Sequence, residues 1–230
     1  MAHISKRFKK IRESVQQSVP MNVLDAFELL QKVSSVKFVE SVDVSVNLGI
    51  DVKKSEHVVR GSVLLPKGTG RTVKVAVFVP DNQAADALAA GADIVGFETL
   101  ANDIKNGQIN FDILLATPAA MPLVGKLGPI LGPRGLMPNP KLGTVTDDII
   151  TGIKNAKSGQ ISYKTDKAGI VHCPIGTVKF LKEDLKENLL VLIDALRRAK
   201  PSSSKGVYLK KITLSTTMGP GISIDISSVV

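Results

Sequence analysis

The sequence predicts an α/β protein of two domains: an α+β domain assembled from both ends of the chain, and a small α/β domain inserted between them. Three observations carry this. Near both ends the apolar residues alternate with polar ones, as in strands with one dry and one wet face. Between residues 67 and 159, short runs that are apolar on both faces alternate with helical stretches, the pattern of a parallel sheet with crossovers. Charge divides at the same places. Of 30 Lys and Arg and 21 Asp and Glu, residues 67–159 hold nine basic and eight acidic, net +1, which leaves net +8 for the flanks. The expected boundaries are residues 1–66 with 160–230, and 67–159. The two crossings fall at Gly-rich stretches, where an inserted domain could swing.

In chain order, residues 5–17 form a basic arm or helix with Lys6, Arg7, Lys9, Lys10 and Arg12, packed down by Ile4, Phe8 and Ile11. Asn22 caps a helix over 22–34 whose stripe is Val23, Ala26, Phe27, Leu30 and Val33. Residues 38–48 switch to period two, with Val42, Val44, Val46 and Leu48 on one face and Ser41, Asp43, Ser45 and Asn47 on the other. Val58 to Leu65 reads as the partner of that strand, and Lys53, Lys54 and His57 lie on the connection. Val73–Val79 is a buried strand, followed by an Ala-rich helix over 81–90 that stops at Gly91. A short strand at Ile94-Val95, a helix over 97–105 and a strand over Ile113–Ala116 follow, and Thr117-Pro118 caps and opens a helix.

The segment from Gly125 to Gly143 has glycines at 125, 128, 132, 135 and 143, prolines at 129, 133, 138 and 140, and the cations Lys126, Arg134 and Lys141. The prolines are expected to deny a helix its donors and to hold Gly128, Gly132, Met137 and Asn139 extended. Interleaved Leu127, Ile130, Leu131, Leu136 and Met137 make it an ordered loop rather than a linker. A phosphate cradle is the competing reading, and Gly125-Lys126-Leu127 argues against it because it lacks the hydroxyl that a triphosphate-binding loop requires. A short helix over 147–157 follows. Strands over 160–164 and 170–174 are joined by a turn at 165–169, a long helix spans 182–199 with the stripe Leu185, Leu189, Leu192, Ile193 and Leu196, and strands over 207–215 and 222–227 close the chain.

Composition narrows the function. Aromatic residues are 4% and Trp is absent, so the cores are aliphatic. The single cysteine, Cys173, forms no internal disulfide and suits a reducing cytoplasm. No apolar run reaches the roughly 18 residues of a membrane span, and the first residues lack the apolar centre of a secretion signal. Net charge of +9 points to polyanions, and to nucleic acid first. His172 and Cys173 are neighbours on a strand and so face opposite sides, which argues against a shared metal. No nucleophile–base spacing has support from its context, so no catalytic residue, metal or cofactor is expected. A nucleotide-dependent enzyme and a scaffold without RNA affinity are the competing classes.

Two stretches suit RNA. Thr213, Ser215, Thr216 and Thr217 run into Met218-Gly219-Pro220-Gly221, where small donors beside glycine let a phosphodiester backbone approach. An ordinary hairpin turn is the plainer reading. Lys37-Phe38 stands at a strand start, where Phe38 either stacks on a base or, in phase with Val42, packs in the core.

Together LVGKLGPILGPRGLMPNPKLGTV, KFVESVDVSVNLGID, VRGSVLLPKGTGR and TTMGPG closely resemble the large-subunit ribosomal protein L-one family in its bacterial form, over essentially the whole chain. The resemblance implies an RNA-binding domain from both termini and an inserted Rossmann-like domain. It implies a non-enzymatic protein, monomeric when free, that binds large-subunit rRNA, forms the mobile stalk at the exit tRNA site, assists release of deacylated tRNA, and represses its own operon mRNA. The family's principal RNA contacts map onto Lys37, Phe38, Ser41, Thr217, Met218 and Gly219, with Lys167 and His172 beside them. A family hydroxyl before the last strand is replaced here by Lys211.

Overall fold

A computed structural model describes residues 5–15, 19–52, 54, 57–204 and 206–229, with the side chains of residues 10, 12–14 and 81 excepted. Within the predicted basic arm, Ile4 and the side chains of Lys10 and Arg12 therefore lie outside the described residues, as does Lys53 on the connection that follows the first strand. The chain divides into two compact units, residues 1–70 with 161–230, and residues 71–160.

The first unit is built on a four-stranded antiparallel sheet in the order β7-β1-β8-β9, with β1 Ser41–Leu48, β7 Ile170–Thr177, β8 Leu209–Thr216 and β9 Ile222–Ile224. The alternation along β1 sets its faces, since Val42, Val44, Val46 and Leu48 are buried while Asp43, Ser45 and Asn47 are partly open; Ser41, expected on the open face, is buried instead, where its backbone bonds to Thr217. Two helices cover the dry face. Helix α2 (Val23–Val33) is capped by the Asn22 side chain, which accepts from Leu24 N–H, and buries Val23, Ala26, Phe27 and Leu30. Helix α8 (Lys182–Arg198) buries the whole predicted stripe. Both helices join the strands in one aliphatic core. At about 25 cal/mol per Å2, burying a leucine contributes roughly 2 kcal/mol, so the five stripe residues of α8 supply much of the docking energy. Helix α1 (Lys6–Ser14) is capped by Ser5 and turns Ile11 inward.

Two pairings differ from the expectation. The strand after β1, β2 (Arg60–Leu64), pairs with β6 (Gln160–Lys164) in a separate two-stranded sheet, not with β1. Both edges of β1 are taken by β7 and β8, from the far end of the sequence. Periodicity tells a strand which face is dry, not which neighbour it has. Likewise β6 and β7 are consecutive but lie in different sheets. The turn between them carries an isolated bridge at Thr165 and Val171, and Thr165 N–H donates to Val59 O, which carries β6 along the segment that leads into β2.

The second unit holds a parallel sheet in the order β4-β3-β5, with β3 Val75–Phe78, β4 Ile94–Gly96 and β5 Ile113–Ala116. Strand β3 is buried on both faces. Ala76 and Phe78 enter one core with Leu100, Ile104 and Leu127, while Val75 and Val77 enter another with Ala87, Ile149 and Ile153. Helices α3 (Ala84–Ala89), α4 (Glu98–Lys105), α5 (Met121–Lys126), α6 (Gly128–Leu131) and α7 (Ile149–Lys157) complete this Rossmann-like layer arrangement.

The Gly/Pro segment is ordered but more helical than expected. Gly128 opens the one-turn helix α6, and Gly132 is right-handed helical at φ −59°, ψ −53°, whereas Asn139 is extended. Pro129 stands in the first turn of α6, where no helical acceptor is offered to its missing N–H. Leu127 and Leu131 anchor the turn in the core. Thr117 precedes the helical segment as predicted, but its hydroxyl makes no capping bond and is buried without a partner.

Candidate nucleic-acid interface

The first unit brings six of the eight predicted RNA contacts together at one end of its sheet. Ser41 opens β1 and Thr217 follows β8, and the two are linked twice. Ser41 N–H donates to Thr217 Oγ1 at 3.1 Å, and Thr217 N–H donates to Ser41 O at 3.2 Å. Both hydroxyl-bearing residues thereby belong to one rigid corner. Lys37 and Phe38 lie on the bend that leads into this corner and are exposed. Phe38 is 53% exposed, so the core-packing alternative does not hold. The strand starts only at Ser41, and the alternation that places Val42 inward does not extend back to residue 38.

Met218 and Gly219 form the turn after Thr217. Met218 N–H donates to Glu40 Oε1 at 2.8 Å, and its carbonyl accepts from Arg7 Nη2 at 2.8 Å. Its side chain is left half exposed. Gly219 N–H donates to Thr216 O at 3.2 Å, and a Cβ at 219 would stand 2.2 Å from Thr216 Oγ1. Glycine at this point is therefore a steric requirement of the turn.

Lys167 and His172 are placed elsewhere on the same unit. His172 sits on β7 opposite Ser45, four residues along β1 from Ser41, or roughly 13 Å at 3.3 Å per residue. Its Nδ1 meets Ser45 Oγ at 3.0 Å, and its Nε2 lies 3.5 Å from Asp166 Oδ2. Ser–His–Asp contacts of this kind could suggest hydrolysis. The imidazole and the carboxylate are both open to water, however, and a nucleophile needs a buried, oriented base and an oxyanion site. Asp166 serves the turn instead. It accepts from Ile170 N–H and Ala168 N–H, each at 2.8 Å, and these bonds, with His172, hold its carboxyl below the ordinary aspartate value. Lys167 is exposed on that turn.

The wet face of β8 continues the surface. Cross-strand register places Thr213 beside Ser45 and Lys211 beside Asn47, so Lys211 lies at the far end of the face from Thr217. His172 points outward and Cys173 is buried, on opposite sides as predicted. Burial pushes the Cys173 thiol up to about 12, and Asp43 adds to it. Among the described residues no helix is long and apolar enough to cross a membrane.

Sequence reasoning missed two contributors. Arg7 was read only as one cation of a basic arm, and its bond to Met218 spans 211 positions of sequence. Glu40 was not singled out. It is 1% exposed, and its only sequence signal is a carboxylate immediately before a strand in a basic flank.

Fold and site define a class: an α/β protein of two units, one of which presents a hydrogen-bonded turn beside a hydroxyl-lined sheet face. Residues 30–220 match the Ribosomal protein L1p/L10e family. The chain is 59% identical over 228 residues to the large ribosomal subunit protein uL1 of Thioalkalivibrio sulfidiphilus, covering 99% of each chain. It is 58% identical over 229 residues to that of Legionella pneumophila strain Corby, covering 100% of this chain and 99% of the other. It is 54% identical over 230 residues to that of Nitrosomonas europaea, covering the whole of both. The chain belongs to the Ribosomal protein L1p/L10e family, and it is not an enzyme.

Proposed function

We propose that the chain is a structural constituent of the large ribosomal subunit in the cytoplasm, that it binds rRNA directly through its terminal domain, and that Lys37, Phe38, Ser41, Thr217, Met218 and Gly219 form the primary contact. The observation that carries this is the Ser41–Thr217–Met218 corner. It offers the exposed Thr217, a half-exposed methionine and a glycine on a backbone already fixed by hydrogen bonds to the buried Ser41 and Glu40, within the unit that holds the excess of positive charge. Shape and ribose hydroxyls are read by such groups, while Lys and Arg neutralise phosphates. Lys167 and His172 extend the footprint along the sheet.

As a member of its family the protein then forms the mobile stalk beside the exit tRNA site, assists release of deacylated tRNA, and represses translation of its own operon by binding a similar structure on that mRNA. The names of its relatives place them in the large ribosomal subunit, and the resemblance supplies the finer roles. The free protein is a monomer in this reading.

A binding titration against a large-subunit rRNA stalk fragment at several salt concentrations, with tRNA as competitor, tests the proposal. Tight binding that resists tRNA, with a modest salt slope, is expected. Weak binding abolished alike by salt and tRNA would reduce the terminal domain to a basic surface.

A further inference from the structure

Glu40 is a carboxylate buried in a unit whose surface is suited to a polyanion, and it makes no contact that RNA could replace. Its Oε1 accepts from Met218 N–H at 2.8 Å, and its Oε2 accepts from the Ser34 hydroxyl, just past the end of α2. Its own carbonyl accepts from Val178 N–H at 3.0 Å, which ties its backbone to the residue after β7. One side chain thus joins the end of a helix, the start of the central strand and the turn that follows β8. A negative charge near phosphates opposes binding, so electrostatics alone would favour a neutral residue here. Its contribution has to be geometric. Charge-assisted bonds to a carboxylate are short and directional, and a buried one leaves its partner little freedom.

We propose that Glu40 is a positioning residue for RNA recognition: its carboxylate fixes the Met218 peptide, and through it the orientation of the Thr217–Gly219 turn. The inference rests on the RNA-binding reading above. Glu40 holds the Thr217–Met218 peptide through Met218 N–H, Arg7 holds the following Met218–Gly219 peptide through Met218 O, and the methionine side chain between them is left half exposed. Without the carboxylate, the Met218 N–H must find water or turn, and the surface is no longer preformed. Ordering it again on binding would weaken affinity, as the loss of any preorganisation does.

Full-length Glu40→Ala, Glu40→Gln and Glu40→Asp would be titrated with the rRNA stalk fragment, beside Leu192→Ala as a control for stability. Leu192 is fully buried in the apolar stripe of α8 and forms none of the hydrogen bonds of the turn. Below every variant's melting temperature, Glu40→Ala is expected to bind about tenfold more weakly, the scale of one charge-assisted hydrogen bond. Its salt slope should not change, since no phosphate-neutralising cation is lost. Glu40→Gln should bind within about threefold of wild type, because its carbonyl still accepts from Met218 and its amide donates to Ser34. Leu192→Ala should lose stability and keep its affinity. The Met218 amide resonance should move in Glu40→Ala and stay in Leu192→Ala. If Glu40→Ala fails to fold, Glu40→Asp, one methylene too short to reach both partners, carries the same expectation.

Wild-type affinity in a folded Glu40→Ala or Glu40→Asp overturns the proposal. An equal loss in Leu192→Ala also overturns it, because the effect would then be general softening. A wild type that does not bind the fragment instead removes the functional reading itself, which is a different result from wild-type binding that Glu40 variants leave untouched.

Discussion

Thr216 and Gly219 show how tightly single residues are specified at the turn. Thr216 is buried, and its hydroxyl occupies the space that any side chain at 219 would enter. Gly219→Ala must shift the turn, and we expect a loss of rRNA affinity of tenfold or more with about 1–2 kcal/mol of stability. Thr217→Ala breaks the part-buried bond from Ser41 N–H. It should weaken specific binding and cost about 1 kcal/mol of stability. A titration paired with a thermal melt separates the two effects. A melt that falls far more than this, with affinity unchanged, would make Thr217 an ordinary turn residue. Cys173 offers an independent check on burial. Its thiol is raised to about 12, so little thiolate exists at neutral pH. Thiol reagents should modify it only in denaturant, and rapid modification of the native protein would contradict the packing of β7.

At the scale of elements, the loop-to-helix junctions carry the less obvious stabilisation. Asn188 stands in the apolar stripe of α8 and is fully buried. Its amide donates to Gly68 O and Ile175 O at 3.0 and 2.8 Å, and its carbonyl accepts from Lys67 N–H at 3.1 Å. Asn188→Leu would remove a hydrogen bond from each of three backbone groups, and we expect a loss of about 2–4 kcal/mol in urea denaturation. The turn before β7 depends on pH instead. Asp166 is depressed chiefly by Ile170 N–H, so its contribution is present above the unfolded aspartate value of about 3.9 and is lost as pH falls through the lower folded value. Asp166→Ala should lower the urea midpoint at pH 7 and leave it unchanged near pH 2. A deficit that persists at pH 2 would mean that the carboxylate is not its source.

These elements also mark the limit of what the sequence discloses. The stripes of α2 and α8, the alternation of β1 and the doubly buried β3 were legible because periodicity reports burial directly. The pairing of β1 with β7 and β8 was not, because its partners lie more than 120 residues away and any alternating strand would satisfy the pattern. The helical turn at Gly128 was hidden by a rule about proline that weakens in a helix's first turn. At the site, the glycine and hydroxyl residues of the turn were visible as a motif. Glu40 and Arg7 were not, since a carboxylate and an arginine in a charged flank look like solvated surface until their distant partner, Met218, is placed.

For the whole molecule, the distribution of charge makes the strongest claim. Residues 71–160 hold eight basic and eight acidic residues, so the entire net +9 belongs to residues 1–70 with 161–230. Electrostatic attraction to RNA scales with the cations that neutralise phosphates, and a neutral unit adds little to it. The described turn, the wet face of the sheet and Lys211 lie in the charged unit as well. A chain that joins residues 1–70 directly to 161–230 should therefore keep rRNA affinity within about tenfold of the full protein, with the same salt slope. The four-stranded sheet, α2 and α8 are all retained in it, and their shared core is intact. Residues 71–160 alone should show no comparable affinity. Were the joined chain to fold, with a normal circular dichroism spectrum and a cooperative melt, and yet fail to bind, neither the charge division nor the Ser41–Thr217 corner would be sufficient for recognition. The Gly125–Gly143 segment, with Lys126 and Arg134 exposed on its surface, would then be the first place to look for the missing contacts.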